Sequence, residues 1–420
     1  MSSKPKTLAT KEEATPPKVP KLRFPEFRGA EAWKVKKLSS SVQLVSGMHL
    51  SPEQYGKEGA VPYFTGPSDF TNKIEAITKR TSDSASLAKE DDTLITVKGS
   101  GVGEIWYLTL SSVAMGRQLM AVRAIDASSG FVFQFLLTKR RRFEDLAAGN
   151  LIPGLARGDI LDLEAPFPLL PEQQKIAECL SSVDELMAAQ ARKVDALKTH
   201  KKGLMQQLFP REGEAAPRLR FPEFRDAGEW GDQTVGDFGK VITGSTPSTA
   251  KPAFYGGGIP FVSPADISDL RFVDQTKTTL TPEGFAETRP VRSGSVLFVC
   301  IGSTIGKVAQ SVRDCATNQQ INAVVPSSKH SDGFVYFALS LAAERIALLA
   351  GRQAVPIINK SLFSSVRMLS PKLPEQQRIA ACLSSLDALI AAETRKLEAL
   401  KTHKKGLMQQ LFPSLEEGTA

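Results

Sequence analysis

Apolar positions recur at steps of four and three over two long stretches of the chain. In the first they fall at Ile176, Leu180, Val183, Met187, Val194, Leu197, Leu204 and Leu208. In the second they fall at Ile379, Leu383, Leu386, Ile390, Leu397, Leu400, Leu407 and Leu411. This spacing predicts two helices, each with a coiled-coil seam. Pro171 and Pro374 suit a first helical turn, and Glu172 and Glu375 put negative charge where the helix dipole favours it. The seam is interrupted at the same two steps in both copies, by Gln190/Glu393 and by Lys201/Lys404. Polar seam residues cost stability but fix register and partner. A continuous helix from Pro171 to Phe209 would run about 58 Å. Gly203 and Gly406 are expected to loosen the last turns, because a mid-helix glycine costs ~1 kcal/mol relative to alanine.

The two stretches are copies. LPEQQKIAECLSSVDELMAAQARKVDALKTHKKGLMQQLFP at Leu170–Pro210 returns at Leu373–Pro413, 203 residues on, with about three positions in four identical. LRFPEFRGAEAW at Leu22–Trp33 likewise returns as LRFPEFRDAGEW at Leu219–Trp230. The chain is therefore a tandem duplication, each half a globular module followed by a helix. Length and the strict heptad favour pairing of one helix with the other over packing of each on its own module alone.

Between the echoes the pattern changes to short apolar runs bounded by Gly, Asp and Ser, which predict strands. VPYFTG, DTLITVKG and GEIWYLTL in the first module are matched by IPFVSPADI, GSVLFVCIG and KVAQSV in the second. Short helices are expected near Phe131–Leu137 and Gly333–Leu349. Each module is then a mixed α/β domain of about 150 residues, a normal domain size. VKGSGVGEIW at Val97–Trp106 aligns with CIGSTIGKVA at Cys300–Ala309, MGRQLMAV at Met115–Val122 with TNQQINAV at Thr317–Val324, and LARGDI at Leu155–Ile160 with INKSLF at Ile358–Phe363.

Composition adds little to the fold but bears on partners. At 420 residues the chain holds two or three domains, and 41% hydrophobic with 23% charged residues is ordinary for a globular protein. A net charge of +8 and a pI near 9.2 favour polyanionic partners. No apolar run is expected to approach the ~20 residues of a membrane span. Residues 1–21, rich in Lys, Thr, Pro and Ala, read as a disordered tail. Cys179, Cys300, Cys315 and Cys382 form no C-x-x-C pair, which suits a reducing cytoplasm. Cys179 and Cys382, beside Leu180 and Leu383, are expected to be small core residues.

Catalytic readings fail on the residues. GSTIGKV has three residues between Gly302 and Gly306 where a P-loop has four, and Val308 stands in place of its Ser/Thr. Glu104 in the matching place of the first module would repel a phosphate. GSGVG at Gly99–Gly103 is a lone Gly-rich turn. Both are expected to be tight turns between strands. His49, His200, His330 and His403 form no metal-ligand spacing. What remains is recognition chemistry: Arg and Lys for phosphates and guanine edges, Asn and Gln for adenine. Candidates are Lys98, Ser100, Arg117 and Gln118 in the first module, and Lys307, Asn318, Gln319, Gln320, Asn322 and Arg352 in the second. Arg157 and Lys360, basic in both modules, are candidates for sequence-independent phosphate contact. The KTHKK runs at Lys198–Lys202 and Lys401–Lys405 read as solvated helix faces.

Through LPEQQ[KR]IA…KKGLMQQLFP and the LRFPEF…W openings, the chain resembles the specificity (S) subunit of a type I restriction–modification system, from Leu22 to Pro413. The resemblance implies an α+β fold: two mixed α/β target recognition domains, at 22–169 and 219–371, separated by two long helices at 170–210 and 372–413. The helices would pair as an antiparallel intramolecular coiled coil in a pseudo-two-fold tandem repeat, with 211–218 a linker and 414–420 a tail. It implies a non-catalytic chain that binds double-stranded DNA, each domain reading one half of a bipartite asymmetric site while the helices set the unread spacer. It also implies two methylation (M) subunits using S-adenosylmethionine, restriction (R) subunits using ATP with Mg, and no cofactor in this chain. A recognition subunit serving a fused nuclease–methyltransferase would keep the DNA binding. A coiled-coil scaffold with two protein-binding modules would not.

Overall fold

The computed structural model describes residues 19–83, 86–148, 154–351 and 355–413. The chain divides into two compact units, one of residues 1–190 with 396–420 and one of residues 191–395. Both boundaries fall inside long helices, Leu170–Leu208 and Leu373–Leu411, of 39 residues each. Each unit thus contains the beginning of one long helix and the end of the other.

The first unit is built on a four-stranded antiparallel sheet in the order Val42–Ser46, Leu119–Ala124, Thr93–Thr96, Ile105–Tyr107. A second sheet carries a parallel pair, Val61–Phe64 against Ser112–Met115, with Tyr63 opposite Ala114. Helix Ser129–Thr138 is capped by the Ser128 hydroxyl, which accepts from the Phe131 N–H. Its Phe131 and Phe135 enter a core with Trp33, Ile176 and Leu180 from the start of the first long helix. Leu411 and Phe412 from the end of the second long helix fill the same core.

The second unit repeats this plan. Its main sheet runs Gly239–Thr243, Ile321–Pro326, Val296–Val299, Val308–Ser311, Phe272–Val273, the last strand parallel to its neighbour. Tyr255–Val262 pairs in parallel with Ala316–Thr317, Phe261 opposite Ala316. Helix Asp332–Ala347 is capped by Ser331. Its Phe334 stacks on Phe209, 5.3 Å between centroids, and meets Trp230 edge-on.

The opening LRFPEF…W segment is clamped in each unit by a buried bidentate ion pair. Arg23 donates from Nε and Nη2 to the Glu172 carboxylate at 2.8 and 2.7 Å, and Arg220 does the same to Glu375 at the same distances. Glu172 and Glu375 are 1% and 2% exposed, so these carboxylates serve as clamp acceptors beyond any dipole effect. The next residue, Gln173 or Gln376, accepts from the Ser128 or Ser331 N–H and donates to the Pro168 or Pro371 carbonyl. The Leu22 N–H donates to the Gln410 carbonyl, and the Leu219 N–H to the Gln207 carbonyl. The PEQQ and QQLFP texts thus close the ends of the domains.

Every apolar seam position named from the sequence is buried or half-buried, and the helices continue through Gly203 and Gly406. The expected loosening does not occur because Leu208 with Phe209, and Leu411 with Phe412, anchor the final turns in core.

Two other expectations are corrected. Cys179 and Cys382 are partly exposed, whereas Cys300 and Cys315 are buried and their thiols are pushed up to about 12 by desolvation. Asp332–Ala350, 19 residues at mean hydropathy 1.6, is long and apolar enough by length and composition to cross a membrane. Half of it is buried, with Phe334, Phe337 and Leu339 in the core of the second unit, which accounts for its apolarity.

Candidate nucleic-acid interface

In each unit three chain segments meet where the strands of the main sheet end. In the first, the turn leaving Thr93–Thr96 folds back into Ile105–Tyr107, with Gly99 and Gly103 at φ 92° and 89°. In the second, Gly302 and Gly306 take φ 96° and 92° in the same turn. The hydrogen bonds agree: Gly103 N–H to Thr96 O and Gly306 N–H to Val299 O, both 3.0 Å. Two left-handed glycines in each unit give a tight turn.

The second segment is the loop before the long central strand, and it is sewn to the turn. Val97 N–H donates to Gln118 O at 2.7 Å, and Cys300 N–H to Gln320 O at 2.8 Å. The third is the approach to a five-residue helix, Arg157–Leu161 or Lys360–Ser364. Leu155 N–H bonds Val97 O and Ile358 N–H bonds Cys300 O, each at 2.8 Å. Lys98 pairs with Gly154, and Ile301 with Ile357, as isolated bridges.

This geometry gathers Lys98, Ser100, Arg117, Gln118 and Arg157 around one sheet end. All are exposed except Gln118, which is half-buried. Arg157 is partly committed: its guanidinium donates to Ser46 Oγ at 2.8 Å and Leu44 O at 3.1 Å. In the second unit Asn318, Gln319, Gln320 and Lys360 occupy the matching places. Asn318 donates to Gln320 Oε1 at 3.0 Å, and Gln319 accepts from Thr246 Oγ1 at 2.7 Å. Lys360 is exposed at the helix start. Lys307 is held by the Ile267 carbonyl at 3.0 Å. Its counterpart Glu104 pairs with Arg140.

Asn322 does not belong to this surface. It is 3% exposed, with Oδ1 accepting from Thr243 Oγ1 at 2.6 Å inside the sheet. The alternation of the strand, which turns successive side chains to opposite faces, puts it inward. Arg352 lies outside the described residues.

The sequence reading missed a fourth contributor. The segment after the first sheet strand closes over the same loop: Gly47 N–H bonds Leu119 O and Met48 N–H bonds Met115 O, bringing exposed Met48 and His49 to the cluster. In the second unit Gly244 N–H bonds Ile321 O and Ser245 N–H bonds Thr317 O. Exposed Arg289 donates to the Thr243 carbonyl there at 3.0 Å. No repeat marks Arg289, so only the fold could place it. Among the described residues no group of three or more His, Cys, Asp or Glu could hold a metal ion.

Comparisons with known proteins agree with this layout. The family described as type I restriction modification DNA specificity domain matches residues 30–199 and 227–402. The chain is similar to the type I restriction enzyme HindI specificity subunit of Haemophilus influenzae, 31% identical over 34% of this chain and 32% of that one. It is 24% identical to the putative MjaX specificity subunit of Methanocaldococcus jannaschii, over 60% of this chain and 58% of that one. With the EcoR124I/EcoR124II specificity subunit of Escherichia coli it shares 32% identity over 40% and 43%. The matched regions thus span about a third to three-fifths of these curated relatives. The fold is like that of the type I S subunit of M. genitalium, with a TM-score of 0.63 and 18% identity over 94% of this chain and 99% of that one. Matched twice, once in each half and across most of its length, the chain belongs to the type I restriction modification DNA specificity family.

Proposed function

We propose that this protein is the DNA-reading specificity subunit of a type I restriction–modification complex. Its recognition domains, 22–169 and 219–371, would each read one half of a split, asymmetric site on double-stranded DNA. The observation that carries this reading is the paired cluster: the same loop framework at two sheet ends, faced with different side chains. Lys98 and Arg117 in one are Ile301 and Gln319 in the other. Two identical readers would suit a palindrome, so two different readers suit an asymmetric site.

The helices 170–210 and 372–413 would form an antiparallel coiled coil that fixes the unread gap. Supporting this, Lys404 near the end of the second helix pairs with Asp184 near the start of the first, and Lys201 with Asp387 in the converse sense. Two methylation subunits would dock on the remaining helix surface and methylate adenine N6 with S-adenosylmethionine. Restriction subunits would add ATP- and Mg-dependent cleavage. This chain would be non-catalytic and cytoplasmic, presenting no membrane-bound part.

The test is a methylome of cells carrying this gene with its methylation partner, against a deletion strain. A new N6-methyladenine motif of two defined halves around an unread gap is the expected result. With an expressed and intact methylation partner, absence of any such motif refutes the proposal.

A further inference from the structure

At the second polar step of the seam, the helix lysine of each unit is matched by a carboxylate that also meets the recognition domain. In the first unit Asp184 accepts from Lys404 Nζ at 2.8 Å and from Gln134 Nε2 at 3.0 Å. Gln134 projects from the domain helix Ser129–Thr138, is 0% exposed, and leaves its Oε1 without a partner. In the second unit Asp387 pairs with Lys201, while Arg271 Nη1 lies 3.6 Å from the other carboxylate oxygen and donates to Ser384 Oγ at 2.7 Å. Arg271 is seated against Phe272, Tyr336 and Phe337, with its guanidinium carbon 4.6 to 4.9 Å from each ring. Its Nε donates to buried Gln310 at 2.9 Å. Residue 337 is the repeat counterpart of Gln134. The two domains therefore reach corresponding helix positions by unrelated side chains: an amide hydrogen-bonded to Asp184 in one, and in the other a ring-packed guanidinium hydrogen-bonded to Ser384 and ion-paired, without a hydrogen bond, to Asp387 Oδ2.

Each junction ties three elements: the start of one long helix, the end of the other and the domain. Slip by one helical residue moves an element about 1.5 Å, enough to break hydrogen bonds of this length. One base pair corresponds to about 3.4 Å along DNA. A contact set lost within one base-pair step can discriminate gaps that differ by one.

We propose that Asp184 and Asp387, with Gln134 and Arg271, are positioning residues that fix the axial register of each recognition domain on the helix pair. They thereby set how sharply the complex distinguishes the length of the gap. This rests on the specificity-subunit reading above.

The test uses the complex of this chain with its methylation subunits on DNAs whose gap is the preferred length, one base pair shorter or one longer. In Asp387→Asn, Arg271→Gln and Lys404→Asp, methylation at the wrong gaps relative to the preferred gap should rise about tenfold. The bases required in each half-site should stay the same. The exchange Asp184→Lys with Lys404→Asp should restore discrimination, since the Gln134 amide can turn its unpartnered oxygen to the new ammonium. Equal loss at all gaps, or an unchanged gap ratio in folded variants, overturns the proposal. Unfolding midpoints identify folded variants. If a single variant does not fold, the exchange decides: rescue of folding without gap discrimination also overturns it. An unsubstituted complex that prefers no gap would instead refute the functional reading, and this inference with it.

Discussion

The helix-end frames of the two units are near copies, whereas the loops at the sheet ends are copies only in backbone. Arg23–Glu172 and Arg220–Glu375 have matching distances, and Phe412 on Phe131 repeats as Phe209 on Phe334, each at 5.3 Å. At the sheet ends the turn glycines and carbonyl pairings persist while Lys98 becomes Ile301 and Arg117 becomes Gln319. The contrast separates residues that the fold holds constant from exposed ones that it leaves free to vary. A buried ion pair tolerates little change because removing one partner strands the other charge, whereas exposed side chains on a fixed loop can vary at small cost in stability.

The largest effect should come from the clamps. Glu172→Ala strands Arg23 and removes the acceptor of the Trp33 indole N–H, 3.3 Å away. Glu375→Ala strands Arg220, while the Trp230 indole N–H already has no partner. Both should cost on the order of 3–5 kcal/mol, Glu172→Ala the more. Denaturant unfolding would measure this, and equal losses would place the clamps' strength in the arginines alone.

Next comes the helix length. One heptad inserted after Ala189 adds about 10 Å, or about three base pairs. The methylated gap should change while both half-sites stay intact. An unchanged gap would remove the ruler from the proposed function.

At the sheet ends, Arg157→Ala and Lys360→Ala should each weaken DNA binding across sequences and lower the salt slope by about one. Arg157→Ala should also cost stability, because its bonds to Ser46 and Leu44 are lost; Lys360→Ala should leave unfolding unchanged. Binding titrations over a salt series, with melting curves, separate the two.

The smallest expected effect distinguishes the units by pH. Burial lowers the His330 pKa, opposed by Asp237, and the ring contacts Phe238 and bonds Gln233 and Ser327. The repeat counterpart in the first unit is Ala127. Because the folded pKa is depressed, the unfolded state binds more protons as pH falls below the ordinary imidazole value of about 6.5. The second unit should therefore lose stability from there down to the folded pKa, and His330→Gln should flatten that dependence. An identical pH profile for the variant would assign no role to this ring.

The amino-acid text alone specifies the duplication, both long helices, the strand-bearing modules and the family resemblance, because period and repetition are local and survive in it. It also carried the clamp, since Arg23 and Glu172 recur together as Arg220 and Glu375, but nothing in linear spacing joins residues so far apart. Folding in three dimensions is what completes each unit with the far end of the other half's helix. It also took Asn322 inside the sheet and brought Arg289, Met48 and His49 to the candidate surface. The reason is physical: periodicity reports which face of an element avoids water, whereas burial of an amide or the meeting of four loops depends on elements distant in the chain.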